Sequence, residues 1–172
     1  VYDSRDNCNA IIQKESNNLL VGCAGSTIPA SVTSIDRDAF SGCKGLKQIS
    51  IPASVTDIDG YLFSDCTGLK QVSIAEGITS IGENAFRGCS SLTQISIPAS
   101  VTSINGGAFS DCDGLKSFQI LNPDAEIGYG LFSECDGLTD VNGLKGMTVV
   151  PKGMFYRCQG LSSIEIPSGI TD

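Results

Sequence analysis

The eight cysteines are the most chemically reactive side chains in this sequence. Six of them recur at an interval of 23 residues: Cys43, Cys66, Cys89, Cys112, Cys135 and Cys158. Zinc sites usually draw converging ligands from short CxxC spacings, which the sequence lacks. A cysteine nucleophile needs a base, and the chain has no histidine. Equivalent side chains of successive repeats point the same way, whereas a disulfide needs converging sulfurs. The spacing therefore predicts a buried ladder of free thiols.

Carboxylates are the remaining candidates for catalysis or metal binding. Asp57 and Asp59 flank Ile58, so strand spacing would put them on one face. The densest acidic patch comprises Asp111, Asp113, Glu134, Asp136 and Asp140. Calcium favours such oxygen clusters, but no EF-hand or nonapeptide calcium repeat is present, and solvated loop charge is the alternative interpretation. A glycosidase would need two carboxyl groups at a matching separation in a cleft, which nothing predicts. We therefore expect no enzyme activity, no cofactor and no bound metal.

The 23-residue interval also organises the elements that position these side chains. A phenylalanine stands three positions before each cysteine of the ladder: Phe40, Phe63, Phe86, Phe109, Phe132 and Phe155. A constant period of this size predicts a solenoid in which each repeat stacks on its neighbours. Most repeats contain an LxxIxI segment, with Phe118 and Gly143 as departures from it, and this segment predicts a short strand of a parallel sheet along the array. A VTxI segment adds a second inward pair on the opposite side, and AFxxC predicts a turn of 3₁₀ or short helix.

Residues 1–24 do not follow the period. We expect residues 25–172 to form the array, with the last repeat incomplete. Apolar runs on either side of a polar stretch predict a hairpin that caps the first edge of the solenoid, with a binding hairpin as the alternative. A turn centred between Glu15 and Ser16 would place Ile12 opposite Leu19 and Cys8 opposite Cys23. Within the array, Asp124 occupies an inward valine position, so we expect a bulge that turns this carboxylate outward.

Two surfaces are candidates for binding. Gln48, Gln71 and Gln94 form one polar column on the predicted sheet face, which is almost free of aromatic side chains. Tyr61, Tyr129 and Tyr156 lie instead in the loops near the phenylalanine column. Protein-binding hot spots favour tryptophan, tyrosine and arginine, and the chain has no tryptophan, so the tyrosine loops compete with the glutamine column. The alternative is that the polar columns only solvate the sheet.

Composition excludes several classes of partner. A net charge of −8 and an isoelectric point near 4.4 argue against nucleic acid and against anionic lipid surfaces. No run approaches the ~20 apolar residues that a transmembrane helix requires, so we expect no membrane insertion by this segment. The opening residues VYDSRDNCNA lack the apolar region of a signal peptide.

The pattern CxxLxxIxIPxSVTxIxxxAFxxC resembles the BspA-like leucine-rich repeats of bacterial surface proteins. Residues 43–58 and 89–104 follow the pattern closely, and Tyr2–Ile12 resembles the segment that precedes such arrays. The resemblance implies a right-handed leucine-rich-repeat superhelix, conventionally classed as α/β. It also implies a secreted or cell-surface protein that adheres to host matrix proteins or to other cells through a protein or glycoprotein ligand.

This functional expectation rests on kinship of fold. A structural spacer that displays another domain is the alternative, and a carboxylate-based hydrolase is a remote one. In an exported protein the environment would permit a disulfide between Cys8 and Cys23, and two free thiols are the alternative.

Overall fold

The computed structural model describes residues 2–4, 6, 8–140, 144–164, 166 and 168–170. These residues form short strands joined by turns, and no α-helix occurs among them. The strands are β1 (Tyr2–Asp3), β2 (Ile11–Gln13), β3 (Asn18–Val21), β4 (Ser34–Ile35), β5 (Gln48–Ile51), β6 (Asp57–Ile58), β7 (Gln71–Ile74), β8 (Ser80–Ile81), β9 (Gln94–Ile97), β10 (Ser103–Ile104), β11 (Ser117–Ile120) and β12 (Glu126–Ile127). The predicted solenoid of 23-residue coils is confirmed.

The N-terminal strands form the predicted hairpin and join it to the first coil. Strand β2 pairs antiparallel with β1 and β3, and β3 pairs parallel with β4. Ile12 lies opposite Leu19, as expected, and both side chains are fully buried. The hairpin thus covers the first edge of the array.

The structure corrects the expected opposition of Cys8 and Cys23. A β-bulge shifts the register between Ile12 and Ile11, so that Ile11 lies opposite Val21. A shift by one residue exchanges the two faces of a strand. Asn9 consequently contacts Cys23, with its Nδ2 atom 3.0 Å from the Cys23 sulfur, while Cys8 points into the core. Both cysteines are free thiols.

The VTxI segments build a continuous parallel sheet of four strands in the order β6–β8–β10–β12. Its register is one repeat per strand: Asp57, Ser80, Ser103 and Glu126 are successive partners. The valines and isoleucines of β6, β8 and β10 and of the residues just before these strands are buried, Ile127 of β12 is partly buried, and Asp124 is exposed as expected. The side chain of Asn122 holds this turn, because its Oδ1 accepts from the Asp124 N–H and its Nδ2 donates to the Val101 carbonyl.

The LxxIxI strands form two separate pairs, β5–β7 and β9–β11, and not the continuous sheet that the sequence predicted. Within each pair the residue after the second strand donates back to the preceding coil: Ala75 N lies 3.2 Å from Ile51 O and Leu121 N lies 3.0 Å from Ile97 O. The equivalent residue after β9 is Pro98, which has no N–H. Pro98 thus removes one bond from the ladder between β7 and β9, two strands that the structure leaves unpaired.

The AFxxC segments are stacked turns with 3₁₀-type hydrogen bonds. In one coil, Cys66 N donates to Phe63 O at 3.2 Å, while Phe63 N and Asp65 N donate to the next coil, each at 2.7 Å. Two residues per coil adopt left-handed backbone angles, as Tyr61 (φ 59°) and Asp65 (φ 57°) do here. These residues break any continuous helix and turn alternate N–H groups towards the neighbouring coil.

Phenylalanines and cysteines fill the centre of the solenoid. The phenylalanine rings stack along the array, with successive centroids 5.1, 5.2, 5.1, 5.8 and 6.2 Å apart. Each of the last five ladder thiols is buried and donates to the carbonyl of a phenylalanine 26 residues earlier, at 2.9–3.3 Å. Cys43, in the first coil, is half-buried. All six are free thiols.

Candidate functional site

The structure gathers the three predicted glutamines on one exposed surface, the glutamine face. Gln48 and Gln71 are in register on β5 and β7, and Gln94 lies on β9 beyond the break. Together they line a shallow groove of ≈ 480 Å³ with Ser26, Lys70 and Thr93. Gln94 also lines a second shallow groove of ≈ 490 Å³ with Ser117, Gln119 and Asp140. This surface offers many hydrogen-bonding groups but no exposed aromatic anchor.

Two of the three predicted tyrosines meet in a second groove, the tyrosine groove, of ≈ 600 Å³. The side chains of Tyr129 and Tyr156 are 68% and 55% exposed. Besides these rings the groove is lined by Asn84, Gly106, Gly107, Ser110, Gly130, Ser133, Lys152 and Gly153. The surface that these residues expose to the groove is mainly apolar. The two tyrosine side chains are large, amphipathic and accessible to a partner.

Tyr61 does not belong to this groove. It is half-buried, and its hydroxyl accepts a hydrogen bond from Asn84 Nδ2 at 3.0 Å. The guanidinium of Arg37 lies over its ring, 4.8 Å from the centroid. These contacts hold a tyrosine in a left-handed backbone conformation and leave little of its ring for a ligand.

The bottom of the tyrosine groove is formed by glycine residues, which explains the position of the groove. The sequence analysis did not identify these glycines as part of a site. The first left-handed position of the coil is Asp38, Tyr61 and Asn84 in three successive repeats, but glycine in the next three: Gly107, Gly130 and Gly153, with φ of 64°, 63° and 68°. Glycine adopts this conformation without a steric cost and adds no side chain to the floor. The available signal was the glycine repeated at 23-residue spacing.

Gly106 sets the position of the Tyr129 ring. A Cβ atom on Gly106 would lie 2.9 Å from Tyr129 Cε1, closer than van der Waals contact allows. The ring therefore lies flat against the glycine backbone of the preceding coil.

Four of the five predicted acidic residues line a third surface, the acidic groove, whereas Asp140 lines the second groove of the glutamine face. The acidic groove is formed by Asp111, Asp113, Glu134, Asp136, Arg157 and Gln159. Arg87 Nη2 pairs with Asp111 Oδ2 at 2.8 Å, and Gln159 donates to both Asp136 oxygens. Within the described part of the chain, no three histidine, cysteine or acidic side chains converge on a metal position. The carboxylates here are partly neutralised by protein donors.

Asp57 is likewise held by neighbouring hydroxyls. Ser80 Oγ and Thr56 Oγ1 each donate to its carboxylate at 2.6 Å, which holds the pKa of Asp57 below its usual range. The carboxylate thus links two coils as a hydrogen-bond acceptor.

The thiols differ sharply in reactivity. Burial raises the pKa of Cys66 to about 12 and that of Cys158 to about 11, so these ladder thiols are protonated at neutral pH. Exposed Cys23 is different, because hydrogen bonds from the Gly25 backbone and then from the Ser26 hydroxyl lower its pKa. With no histidine in the chain, none of the cysteines has the usual catalytic base.

Comparison with known sequences decides the family. The model of the BspA type leucine rich repeat region matches residues 22–139 and 122–172, in six copies. The chain belongs to the BspA-type leucine-rich repeat family. No curated protein sequence matches it. Membership of this family supports the interpretation of the chain as a protein-binding repeat module. Arrays of this kind are typically non-catalytic.

Solved bacterial structures share the fold. A leucine-rich repeat protein of T. pallidum superposes with a TM-score of 0.73 at 28% identity, over 94% of this chain and 76% of that one. One from Bacteroides ovatus has a TM-score of 0.64 at 25% identity, over 99% and 52%. A leucine-rich cell-surface protein of Faecalibacterium prausnitzii has a TM-score of 0.54 at 26% identity, over 88% and 58%. This BspA-type chain spans little more than half of the latter two.

No helix among the described residues has the length and hydrophobicity needed to cross a bilayer.

Proposed function

We propose that this chain is the binding array of a secreted or cell-surface protein and that it adheres to a protein or glycoprotein of a host matrix or of another cell. The observation that carries this proposal is the exposure of Tyr129 and Tyr156 within one groove. Tyrosine is among the side chains that dominate binding energy in protein interfaces, because its large flat ring loses little conformational entropy on binding. The cell-surface location of the F. prausnitzii relative supports the proposed location.

The tyrosine groove is also pre-organised. Gly107 N donates to Tyr129 O, and Gly130 N donates to Lys152 O, each at 3.0 Å across neighbouring coils. Backbone held in this way does not have to be ordered on binding, which lowers the entropic cost of association. The glutamine face lacks an anchor of this size, so we place the binding site in the tyrosine groove.

A binding screen tests this proposal. The chain is measured by biolayer interferometry against immobilised host matrix glycoproteins and glycans, alongside the double variant Tyr129→Ser/Tyr156→Ser. We expect a saturable signal that falls by about 30-fold in the variant, the effect of losing roughly 2 kcal/mol of hot-spot energy.

The matched control is Gln48→Ser/Gln71→Ser, which changes two exposed side chains on the glutamine face. Its affinity should stay within about twofold of the parent, and circular dichroism and thermal melting should show both variants folded. Loss of binding in the glutamine variant alone would move the site to the glutamine face. No binding to any of the immobilised glycoproteins and glycans would favour the alternative that the array is a structural spacer.

A further inference from the structure

The tyrosine groove and the acidic groove run side by side. In three successive coils, one residue lines the tyrosine groove and the next residue in the chain lines the acidic groove: Ser110 and Asp111, Ser133 and Glu134, Tyr156 and Arg157. A single backbone ridge therefore separates the exposed tyrosine rings from a row of carboxylates. A ligand that covers the ridge meets both surfaces at once.

The charge beside the tyrosines is net negative. Four carboxylates line the acidic groove, against the guanidinium of Arg157 and that of Arg87, which pairs with Asp111. Lys152, on the tyrosine side, is one further cation. The whole chain carries a net charge of −8. Such a field attracts a cationic partner, speeds its association and disfavours an anionic one.

Tyrosine rings in this array already accept guanidinium groups from the chain itself. Arg37 lies over Tyr61 at 4.8 Å, and Arg157 lies over Tyr156 at 5.1 Å. Arg157 also lines the acidic groove, so one arginine contacts both surfaces. Among the described residues, no arginine or lysine lies over the more exposed ring of Tyr129.

We infer that the segment bound in the tyrosine groove is a basic peptide segment of a protein partner, with arginine side chains that stack on Tyr129 and pair with the carboxylates beyond the ridge. This inference rests on the proposed function and names the chemistry of its ligand. A guanidinium suits the place because it is planar, stacks on aromatic faces and donates to carboxylates in a fixed geometry. A neutral glycan would use the rings but would gain nothing from the neighbouring charge.

Peptides of matched length test the inference. Fluorescence anisotropy of a labelled nonapeptide with three Gly-Ser-Arg repeats is compared with that of its Gly-Ser-Glu counterpart. We expect saturable binding of the arginine peptide at concentrations below about 1 mM and none of the glutamate peptide, with weaker binding as salt rises from about 50 to 300 mM.

Two variants separate the contributions. Tyr129→Leu keeps an apolar side chain but removes the aromatic face, and Asp113→Asn/Glu134→Gln removes two charges with little change of shape. Each should weaken the arginine peptide by about fivefold, the effect of roughly 1 kcal/mol. The control Glu15→Gln/Asp38→Asn removes two exposed carboxylates outside both grooves and should leave the affinity within about 1.5-fold.

Several results would overturn the inference: no saturable binding, equal binding of the two peptides, an unchanged affinity for Tyr129→Leu, or an equal loss in the Glu15/Asp38 control. A macromolecular ligand that depends on the tyrosines but is not displaced by the arginine peptide would also overturn it, while leaving the proposed function intact. The proposed function fails on a separate readout, a silent binding screen.

Discussion

The thiol of Cys66 donates a hydrogen bond to the carbonyl oxygen of Phe40, 26 residues earlier, at 3.1 Å. The same bond recurs in the following coils, so the cysteine ladder joins each coil to the phenylalanine of the coil before it. A thiol suits this position because it is small and largely apolar, yet it satisfies a buried carbonyl that the turn hydrogen bonds alone would leave with one free lone pair.

Replacement of one ladder thiol should therefore destabilise the array through loss of volume. In Cys89→Ala the Phe63 carbonyl keeps its bond from Cys66 N, so the cost is the cavity left by the sulfur. We expect the free energy of unfolding to fall by about 1–2 kcal/mol, measured by urea titration. Cys43→Ala, at the half-buried first position, should cost less. Equal losses at the two positions would contradict this explanation.

Thiol reactivity should single out Cys23. It is exposed and its pKa is lowered, so at pH 7 a larger fraction is thiolate than in an ordinary cysteine. We expect one fast phase with Ellman's reagent in the native protein, absent in Cys23→Ser, while Cys66 and Cys158 stay unreactive. A fast phase that survives Cys23→Ser would show that another thiol is accessible.

The total thiol count tests the state of the hairpin cysteines. Because the β-bulge places Asn9 beside Cys23 and Cys8 in the core, we expect all eight cysteines to react in guanidinium chloride without a reducing agent. A count of six would indicate a disulfide. Mass spectrometry of the alkylated peptides would then show whether Cys8 and Cys23 form it.

The hydrogen bonds to Asp57 should make stability depend on pH. Its pKa is lower in the folded state than the value of 3.8 for a free side chain, so its contribution is present above pH 3.8 and is lost as pH falls through the folded pKa. Asp57→Asn should reduce the slope of unfolding free energy against pH in this acidic range only. Ser80→Ala should reduce it in the same range, since Ser80 gives the principal hydrogen bond. Identical slopes in parent and variants would contradict this role.

Glu134 stands at a left-handed position, with φ of 61°, where two other repeats have Gly42 and Gly88. Its side chain is exposed, so removing it costs little packing. Glu134→Gly should raise the free energy of unfolding by about 0.5–1 kcal/mol, because it relieves the left-handed backbone strain. The neighbouring Ser133→Gly, outside the left-handed region, should lower stability, and a shift of the same sign in both variants would exclude this cause.

Periodic spacing made most of the fold predictable. A side chain repeated every 23 residues must occupy the same place in each coil, so the columns of phenylalanine, leucine and isoleucine identified the core. The break between β7 and β9 had a signal in Pro98, but its effect depends on which N–H groups face the neighbouring coil. The bulge between Ile11 and Ile12 had no such signal, because a pattern of apolar residues does not reveal one extra residue in a short strand.

The candidate site was predictable only in part. Tyr129 and Tyr156 occupy different positions within their repeats, so their convergence depends on how far each turn extends around the coil. In sequence Tyr61 was as good a candidate as the other two tyrosines, and only the structure shows that Arg37 and Asn84 contact it. A glycine has no side chain that could bind a partner, so the sequence did not mark Gly106 as part of a site. In the structure, the absence of a side chain at Gly106 lets the Tyr129 ring lie flat against the backbone.

The interruption between β7 and β9 has a mechanical consequence. At this level the coils are joined by the β8–β10 pair and by turn hydrogen bonds such as Phe86 N to Ala108 O at 2.8 Å, but no ladder joins the glutamine face. We expect the bending stiffness at this level to be lower in the plane of the missing ladder, because β7 and β9 are not paired there. We expect the array to flex at this level, which would open or close the glutamine face while the stacked phenylalanine rings keep the tyrosine groove rigid.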